Sequence, residues 1–347
     1  MDYLLSISKE LEDLLDFVKD KKIGVGLSGG VDSSVTALIL KDAGAKVTGY
    51  VMNNMEEDVK NARLISDQLK IKLEVVDLKK DFEKEVIRYF IEDYENGKTP
   101  NPCVVCNCKI KFGILMEEAL KDNDFFTTGH YLKKVRTQNK FSVERAKDIN
   151  KDQSYALSML SQEQLSKLLF PLGYLTKNQV REIAKKKNLE IRQEKESVDL
   201  CFTDDRIRFL KTNTKNIKGL IKNSRGEILG EHKGIQYYAI GQRRRLGIDE
   251  GPYYVKKIDA DKNEIIVGRF DDLYETEFRV SNVNWLLPYK KDVCVIVRNK
   301  MEPQECEIFE EENKIKVKMK KPIWAPAPGQ LAVFYDNDII VGGGWIV

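Results

Sequence analysis

The sequence predicts an α/β protein: a doubly wound parallel sheet, followed by a small, mostly-β central domain and a C-terminal β-barrel. Three observations carry this expectation. From Ile23 to about Thr128, short apolar runs alternate with helical stretches, the pattern of parallel strands joined by covering helices. After Lys218 the composition changes, and Gly226, Gly230, Gly234, Gly241, Gly247 and Gly251 punctuate runs such as Ile235–Ile240 and Tyr253–Ile258. From Phe278 to Val347, strand-like runs at Val293–Arg298, Lys314–Met319 and Gln330–Tyr335 are separated by turn residues, which suggests a barrel. The expected domains are 1–212, 213–275 and 276–347.

Taken in order, residues 1–22 carry Leu4, Leu5, Ile7, Leu11, Leu14, Leu15, Phe17 and Val18 at the spacing of an amphipathic helix. Ile23, Val25 and Leu27 alternate as a short strand, a Ser-Gly-Gly turn follows, and Val31, Val35, Leu38 and Ile39 continue at helical spacing. Lys41 and Gly44 mark the end of that helix. Lys46–Met52 is a second strand, Val59–Leu69 a helix, and Lys72–Leu78 a third strand. Helices at Asp81–Tyr94 and Ile110–Leu120 flank a loop, and Phe125–Thr128 is a further buried strand leading into Gly129-His130-Tyr131. Leu157, Leu160, Leu165, Leu168 and Leu169 predict a helical region from Asn150 to about Asn188.

Composition bounds the class. The 347 residues allow two or three domains with a sizeable core, and 42% hydrophobic with 33% charged residues is globular. The net charge of +3 permits a nucleic-acid partner without requiring one. No apolar run reaches transmembrane length and the N-terminus lacks a signal peptide's apolar core, so no membrane partner is expected. Six cysteines without an export signal then point to reduced thiols in the cytoplasm, used for metal, cluster or catalysis.

The first chemical feature is the turn Gly26-Leu27-Ser28-Gly29-Gly30-Val31-Asp32-Ser33. A strand, a glycine turn and a helix N-terminus present free backbone N–H groups to an anion, and the serine hydroxyls add donors. No Gly-Lys-Ser/Thr ending is present, and the adjacent glycines do not fit the dinucleotide fingerprint. The second is Thr99-Pro100-Asn101-Pro102-Cys103-Val104-Val105-Cys106-Asn107-Cys108, in which two prolines stiffen an extended approach to a helix. A thiol there, beside Lys109 and Lys111, is expected to have a lowered pKa. Cys201 is a third candidate thiol, whereas Cys294 and Cys306 stand in strand-like apolar contexts and read as core. Cys-x-x-Cys alone leaves zinc, a redox pair and an iron–sulfur cluster open.

SGGVDSS resembles the PP-loop of ATP pyrophosphatases. Together with GKTPNPCVVCN, TGHY, KDQSY, SVDLCF, GIQYYAIGQR and PGQLAVFY, it makes nearly the whole chain resemble the tRNA-specific 2-thiouridylases, the MnmA family. The resemblance implies ATP-dependent thiolation of the wobble uridine in tRNAs for Lys, Glu and Gln: the C2 oxygen is adenylated, and sulfur then displaces AMP. It implies ATP contacts from Gly26 to Ser33 and at Met52 and Gly129, with Asp32 organising the loop or Mg²⁺. Cys106 matches the catalytic thiol and Cys201 the persulfide acceptor, supplied by a cysteine-desulfurase-derived donor or a relay protein. Asn101, Pro102 and Cys103 match the segment facing the base, and His130, Lys151, Asp152, Gln153, Arg298, Asn299 and Gln330 match tRNA contacts.

Two departures stand out. Cys103 replaces an Asp common in the family, so that Cys103, Cys106 and Cys201 resemble the three ligands of a [4Fe–4S] cluster in cluster-dependent tRNA thiolases. Arg245 replaces a common Gly. Two other classes compete: a PP-loop ligase acting on a small molecule, and an RNA-binding module holding a metal or iron–sulfur centre. The intact loop argues against the module, and Cys201 with the basic β domains argues against the ligase.

Overall fold

The computed structural model describes residues 8–54, 56–137, 139–190, 200–248, 251–299 and 301–347. The chain forms two compact units. One comprises Met1–Glu85, Val104–Ser197 and Asp338–Ile340; the other comprises Val86–Cys103, Val198–Asn337 and Val341–Val347.

The first unit is built on strands β1 (Lys22–Gly26), β2 (Lys46–Met52), β3 (Lys72–Val76) and β4 (Phe125–Thr127). A hairpin of β5 (Lys133–Thr137) and β6 (Lys140–Glu144) follows, then the two-residue β7 (Leu168–Leu169). The sheet order is β3-β2-β1-β4-β7 and every pairing within it is parallel. The order reverses between β1 and β4, and an open α/β sheet binds ligands at the carboxyl ends of such strands.

Helices α1 (Lys9–Phe17), α2 (Val31–Asp42) and α3 (Glu56–Leu69) belong to this unit. Leu11, Leu15 and Val18 join Ile23, Val25, Val35 and Ile39 in one apolar cluster, where each buried aliphatic side chain contributes about 1.5–3 kcal/mol. Ser8 caps α1; Leu4, Leu5 and Ile7 of the expected amphipathic helix lie outside the described residues. Nearly all of α2 is buried, so its hydroxyls are satisfied internally: Ser34 Oγ donates to Gly30 O and Thr36 Oγ1 to Asp32 O, both at 2.9 Å. The helix stops where the sequence indicates, with Gly44 at φ +90°.

The second unit contains two β layers. Strands β8 (Gly219–Asn223), β9 (Ile228–His232), β10 (Tyr254–Asp259) and β11 (Glu264–Gly268) form a sheet ordered β10-β11-β8-β9, parallel only between β11 and β8. Strands β12 (Tyr274–Trp285), β13 (Asp292–Ile296), β14 (Gln304–Glu311), β15 (Lys314–Trp324), β16 (Leu331–Asp336) and β17 (Ile339–Ile346) follow in the order β12-β15-β14-β13-β16-β17. Pairing of β12 with β17 closes this set into a six-stranded barrel filled by Val280, Val295, Ile308, Val317 and Phe334. Phe90, Tyr94 and Leu210 make a smaller cluster on the helices Arg88–Glu95 and Arg206–Asn213.

Local structure departs from the sequence-based expectations at three places. Residues 150–188 are not one helical region: short 3₁₀ turns, a helix Gln162–Lys167, strand β7 and a helix Lys177–Lys186 succeed one another. The leucines that read as helical, Leu168 and Leu169, instead pair with Phe126 and Thr127, because a two-residue buried strand has no periodicity of its own. Ile235–Tyr237 is a 3₁₀ turn rather than part of a strand. The segment from Pro102 to Leu120 is helical on both sides of a kink at Gly113 (φ −95°, ψ −109°), and Cys106–Leu115, which contains the kink, takes the wider π form ahead of a regular turn at Met116–Leu120.

Candidate active site

The loop after β1 gathers the expected nucleotide residues at the carboxyl end of the sheet. Gly26, Leu27, Ser28, Asp32, Ser33, Met52, Gly129, His130 and Gln153 line one cleft of ≈ 270 Å³, together with Asn54, Asp58, Lys111 and Thr128. Gly30 is the N-cap of α2 and offers no side chain to its first-turn amides, so an anion can take them. Gly29 has φ +76°, and a Cβ there would come within 2.4 Å of Asn61 Cβ; only glycine fits. Ser28 and Ser33 brace the loop across its mouth. Ser28 N donates to Ser33 Oγ at 3.2 Å, the two hydroxyls lie 3.2 Å apart, and Ser33 Oγ donates to Gly30 O.

The neighbouring turn after β4 is fitted against the loop. A Cβ on Gly129 would stand 2.6 Å from Ser33 N, so this position must be glycine for the two turns to meet. Next to it, His130 Nδ1 lies 2.6 Å from Thr128 Oγ1. Burial holds the His130 pKa well below its ordinary value of 6.5, with Lys111 pushing the same way, so the ring is neutral at pH 7. Gln153 ties the turn down: its Oε1 accepts from Tyr131 N at 3.0 Å, and its own N–H donates to Tyr131 O at 2.9 Å.

Asp32 is held by two groups from elsewhere in the chain. Lys177 Nζ lies 2.8 and 2.9 Å from its two carboxylate oxygens, and Tyr131 OH donates to Oδ1 at 2.7 Å. Tyr131 follows the Thr-Gly-His motif and was legible by position. Lys177 is 145 residues from Asp32, and no spacing rule reaches it.

The thiols are placed differently from one another. Cys106 is buried and Cys103 and Cys201 are exposed, and none of the six cysteines is in a disulfide among the described residues. The expectation that lysines lower the thiol pKa does not hold at Cys108, whose thiol burial pushes up to about 12. Lys109 is engaged by Glu85 at 2.9 Å, and Lys111 faces the nucleotide cleft. Gln164 steadies the π segment, its amide donating to Cys108 O at 3.1 Å and Phe112 O at 2.8 Å. Among the described residues no three His, Cys, Asp or Glu side chains are gathered to hold a metal ion. Cys106 belongs to the first unit, and Cys103 and Cys201 to the second.

Of the residues matched to tRNA contacts, Lys151 is exposed on a 3₁₀ turn. Asp152 is turned inward instead: Ala146 N donates to it at 2.8 Å and Ser154 Oγ at 2.6 Å, so its side chain shapes the turn. In the second unit, Gln330 Nε2 donates to Thr99 O at 2.9 Å and Pro100 O at 3.3 Å. Asn101 N donates to Tyr89 OH, and Thr99 N to Pro328 O. Gln330 thus anchors the proline-stiffened approach to Pro102 and Cys103. Arg298 packs its guanidinium 4.8 Å from the Trp324 ring centroid and donates to Ala325 O, whereas Asn299 is exposed. Arg245 has φ +65°, the left-handed conformation that glycine adopts without cost.

Three family models cover the chain in order: the tRNA methyl transferase HUP domain at residues 21–205, the tRNA methyl transferase PRC-barrel domain at 207–269, and the aminomethyltransferase beta-barrel domain at 275–346. The chain is 41% identical to the tRNA-specific 2-thiouridylase MnmA of Treponema denticola, over 94% of its length and 97% of that protein's. Its identity is 39% to the MnmA of Halothermothrix orenii and 38% to that of Aquifex aeolicus, each over 94% of this chain and 98% of the relative. With family models matched in order along the chain and relatives about 40% identical over 94% of it, the chain belongs to the tRNA-specific 2-thiouridylase family.

Proposed function

We propose that this protein is a tRNA-uridine 2-sulfurtransferase, which uses ATP to replace the C2 oxygen of the wobble uridine of tRNA by sulfur. The observation that carries the reading is the cleft at the end of β1, where a glycine turn, two serines and a helix N-terminus converge, in a chain alike end to end with 2-thiouridylases.

The chemistry asks for what these residues supply. A carbonyl oxygen leaves poorly until it is esterified, so the C2 oxygen attacks the α-phosphorus of ATP and pyrophosphate departs. Loop amides at α2, with Ser28 and Ser33, hold the phosphates and stabilise the charge that develops. Met52 packs on the nucleotide, and Gly129 lets the backbone approach it. Mg²⁺ neutralises phosphate charge when bound; Asp58, the second carboxylate of the cleft, would meet it. Neutral His130, with Lys151, Gln153, Arg298, Asn299 and Gln330, belongs to the surface that receives tRNA, and Asn101, Pro102 and Cys103 to the segment near the base.

Sulfur arrives as a persulfide on exposed Cys201, from a desulfurase-derived donor in the cytoplasm. Its terminal sulfur attacks C2, the C2–O bond breaks and AMP leaves. The Cys106 thiolate then takes the inner sulfur, which frees 2-thiouridine and leaves a Cys106–Cys201 disulfide for a thiol reductant to restore. Domains 1–212, 213–275 and 276–347 divide the work into activation and RNA holding. Mass spectrometry of tRNA nucleosides after incubation with ATP, Mg²⁺ and a persulfide donor tests the reading. Wild type yields 2-thiouridine and Cys106→Ala and Cys201→Ala yield none; thiolation surviving in both variants overturns the relay.

A further inference from the structure

The phosphate loop carries no lysine of its own, yet a buried lysine stands behind it. Lys177 is 7% exposed, and its ammonium reaches both carboxylate oxygens of Asp32, at 2.8 and 2.9 Å. Asp32 is the second residue of α2, lines the cleft beside Ser28 and Ser33, and keeps a third of its side chain exposed. Tyr131 OH supplies one further donor to Oδ1.

Each half of the pair is costly alone. A carboxylate at the mouth of an anion site repels the phosphates it should admit. A buried ammonium without a partner is equally unfavourable. Lys177 is also the first residue of the helix Lys177–Lys186, where the helix dipole disfavours a cation, so the helix itself gives no reason for a lysine there. The position is nonetheless built with care. Thr176 and Gln179 form a capping box around it, and Lys177 N donates to Asp148 Oδ2 at 2.9 Å. That helix packs directly on α2.

We infer that Lys177 is the cation of the phosphate loop, delivered from a distant helix. It is a positioning residue: it cancels the charge of Asp32 and fixes the carboxylate so that the first-turn amides of α2 can take a nucleoside triphosphate. The inference rests on the reading of the cleft as an ATP site, and its test separates the two.

ATP·Mg²⁺ binding by the full chain, and pyrophosphate release with tRNA, are measured for wild type, Lys177→Met and Lys177→Met/Asp32→Asn. Methionine keeps most of the buried stem, and both variants lack the ammonium, so a packing defect is common to them. Lys177→Met is expected to lose about 10- to 100-fold in ATP affinity, with KM for tRNA unchanged within about twofold. The double variant, which has no lone carboxylate, is expected to bind ATP about tenfold better than Lys177→Met. Lys177→Met binding ATP like wild type overturns the inference, as does a double variant no better than Lys177→Met. Failure of wild type to bind ATP overturns the reading of the cleft and the inference with it. Should Lys177→Met not fold, Lys177→Gln is compared with Lys177→Gln/Asp32→Asn in the same way: a double variant that binds ATP better than the single one supports the inference, and one that binds no better overturns it.

Discussion

Cys108 stands two residues from Cys106, yet its thiol is pushed up to about 12 by burial and stays protonated at neutral pH. A protonated thiol is a poor nucleophile. Cys108→Ala is therefore expected to keep thiolation within about twofold of wild type, measured as 2-thiouridine formed per unit time; loss comparable to Cys106→Ala would return Cys108 to the chemistry. His232 sets a second residue-level expectation. It is fully buried, its Nδ1 accepts from Gly234 N at 3.1 Å, and its Nε2 therefore donates to Asn263 O at 3.1 Å. Burial lowers its pKa in the folded chain. The unfolded chain thus takes up a proton below about pH 6.5 that the folded chain refuses. Stability is full above that pH and falls as pH drops, by at most about 1.4 kcal/mol per pH unit from this ring. Urea midpoints at pH 7.5 and 5.5 check it: wild type is expected to show the difference and His232→Gln to reduce it, leaving the part that buried His130 contributes in the same direction.

At the scale of elements, function depends on two turns that meet. Gly129 lies on the turn after β4, and any side chain there would collide with the backbone of Ser33 on α2. Gly129→Ala is expected to weaken ATP binding by about tenfold or more while the barrel of β12–β17 keeps its fold, because only the turn contact is disturbed. Calorimetric titration with ATP reads the first effect and circular dichroism the second. Unchanged affinity would mean that the α2 N-terminus does not hold the phosphates. The sequence showed this junction only in part. The loop Gly26–Ser33 was legible from its glycines and from the strand and helix periods on either side. The contact with Gly129 was suggested by resemblance alone, since backbone proximity across 96 residues leaves no local pattern. Lys177 was illegible for the same reason. The π form of Cys106–Leu115 was hidden too: the segment kinks at Gly113 and is held from outside by Gln164, and neither leaves a local pattern. Arg245 is the reverse case, a departure seen in the sequence whose meaning, a positive φ, only the backbone supplied.

Over the whole molecule, the parallel sheet, the central β layer and the closed barrel follow from the alternation of strands and helices and from the glycine-rich shift after Lys218. Short elements without periodicity, β7 above all, were missed. Chemistry divides along the same lines. Unit one holds the nucleotide cleft and Cys106; unit two holds Cys201 and the segment that Gln330 ties to the barrel. No helix among the described residues is long and apolar enough to cross a membrane. The central claim is that the cleft spends ATP on tRNA and on nothing smaller. Pyrophosphate release, measured with ATP·Mg²⁺ in the presence and absence of a tRNA with a wobble uridine, tests it most directly. Release is expected to require the tRNA, to be followed by AMP only when a persulfide donor is added, and to disappear in Ser33→Ala. Pyrophosphate released at the same rate without tRNA would contradict it.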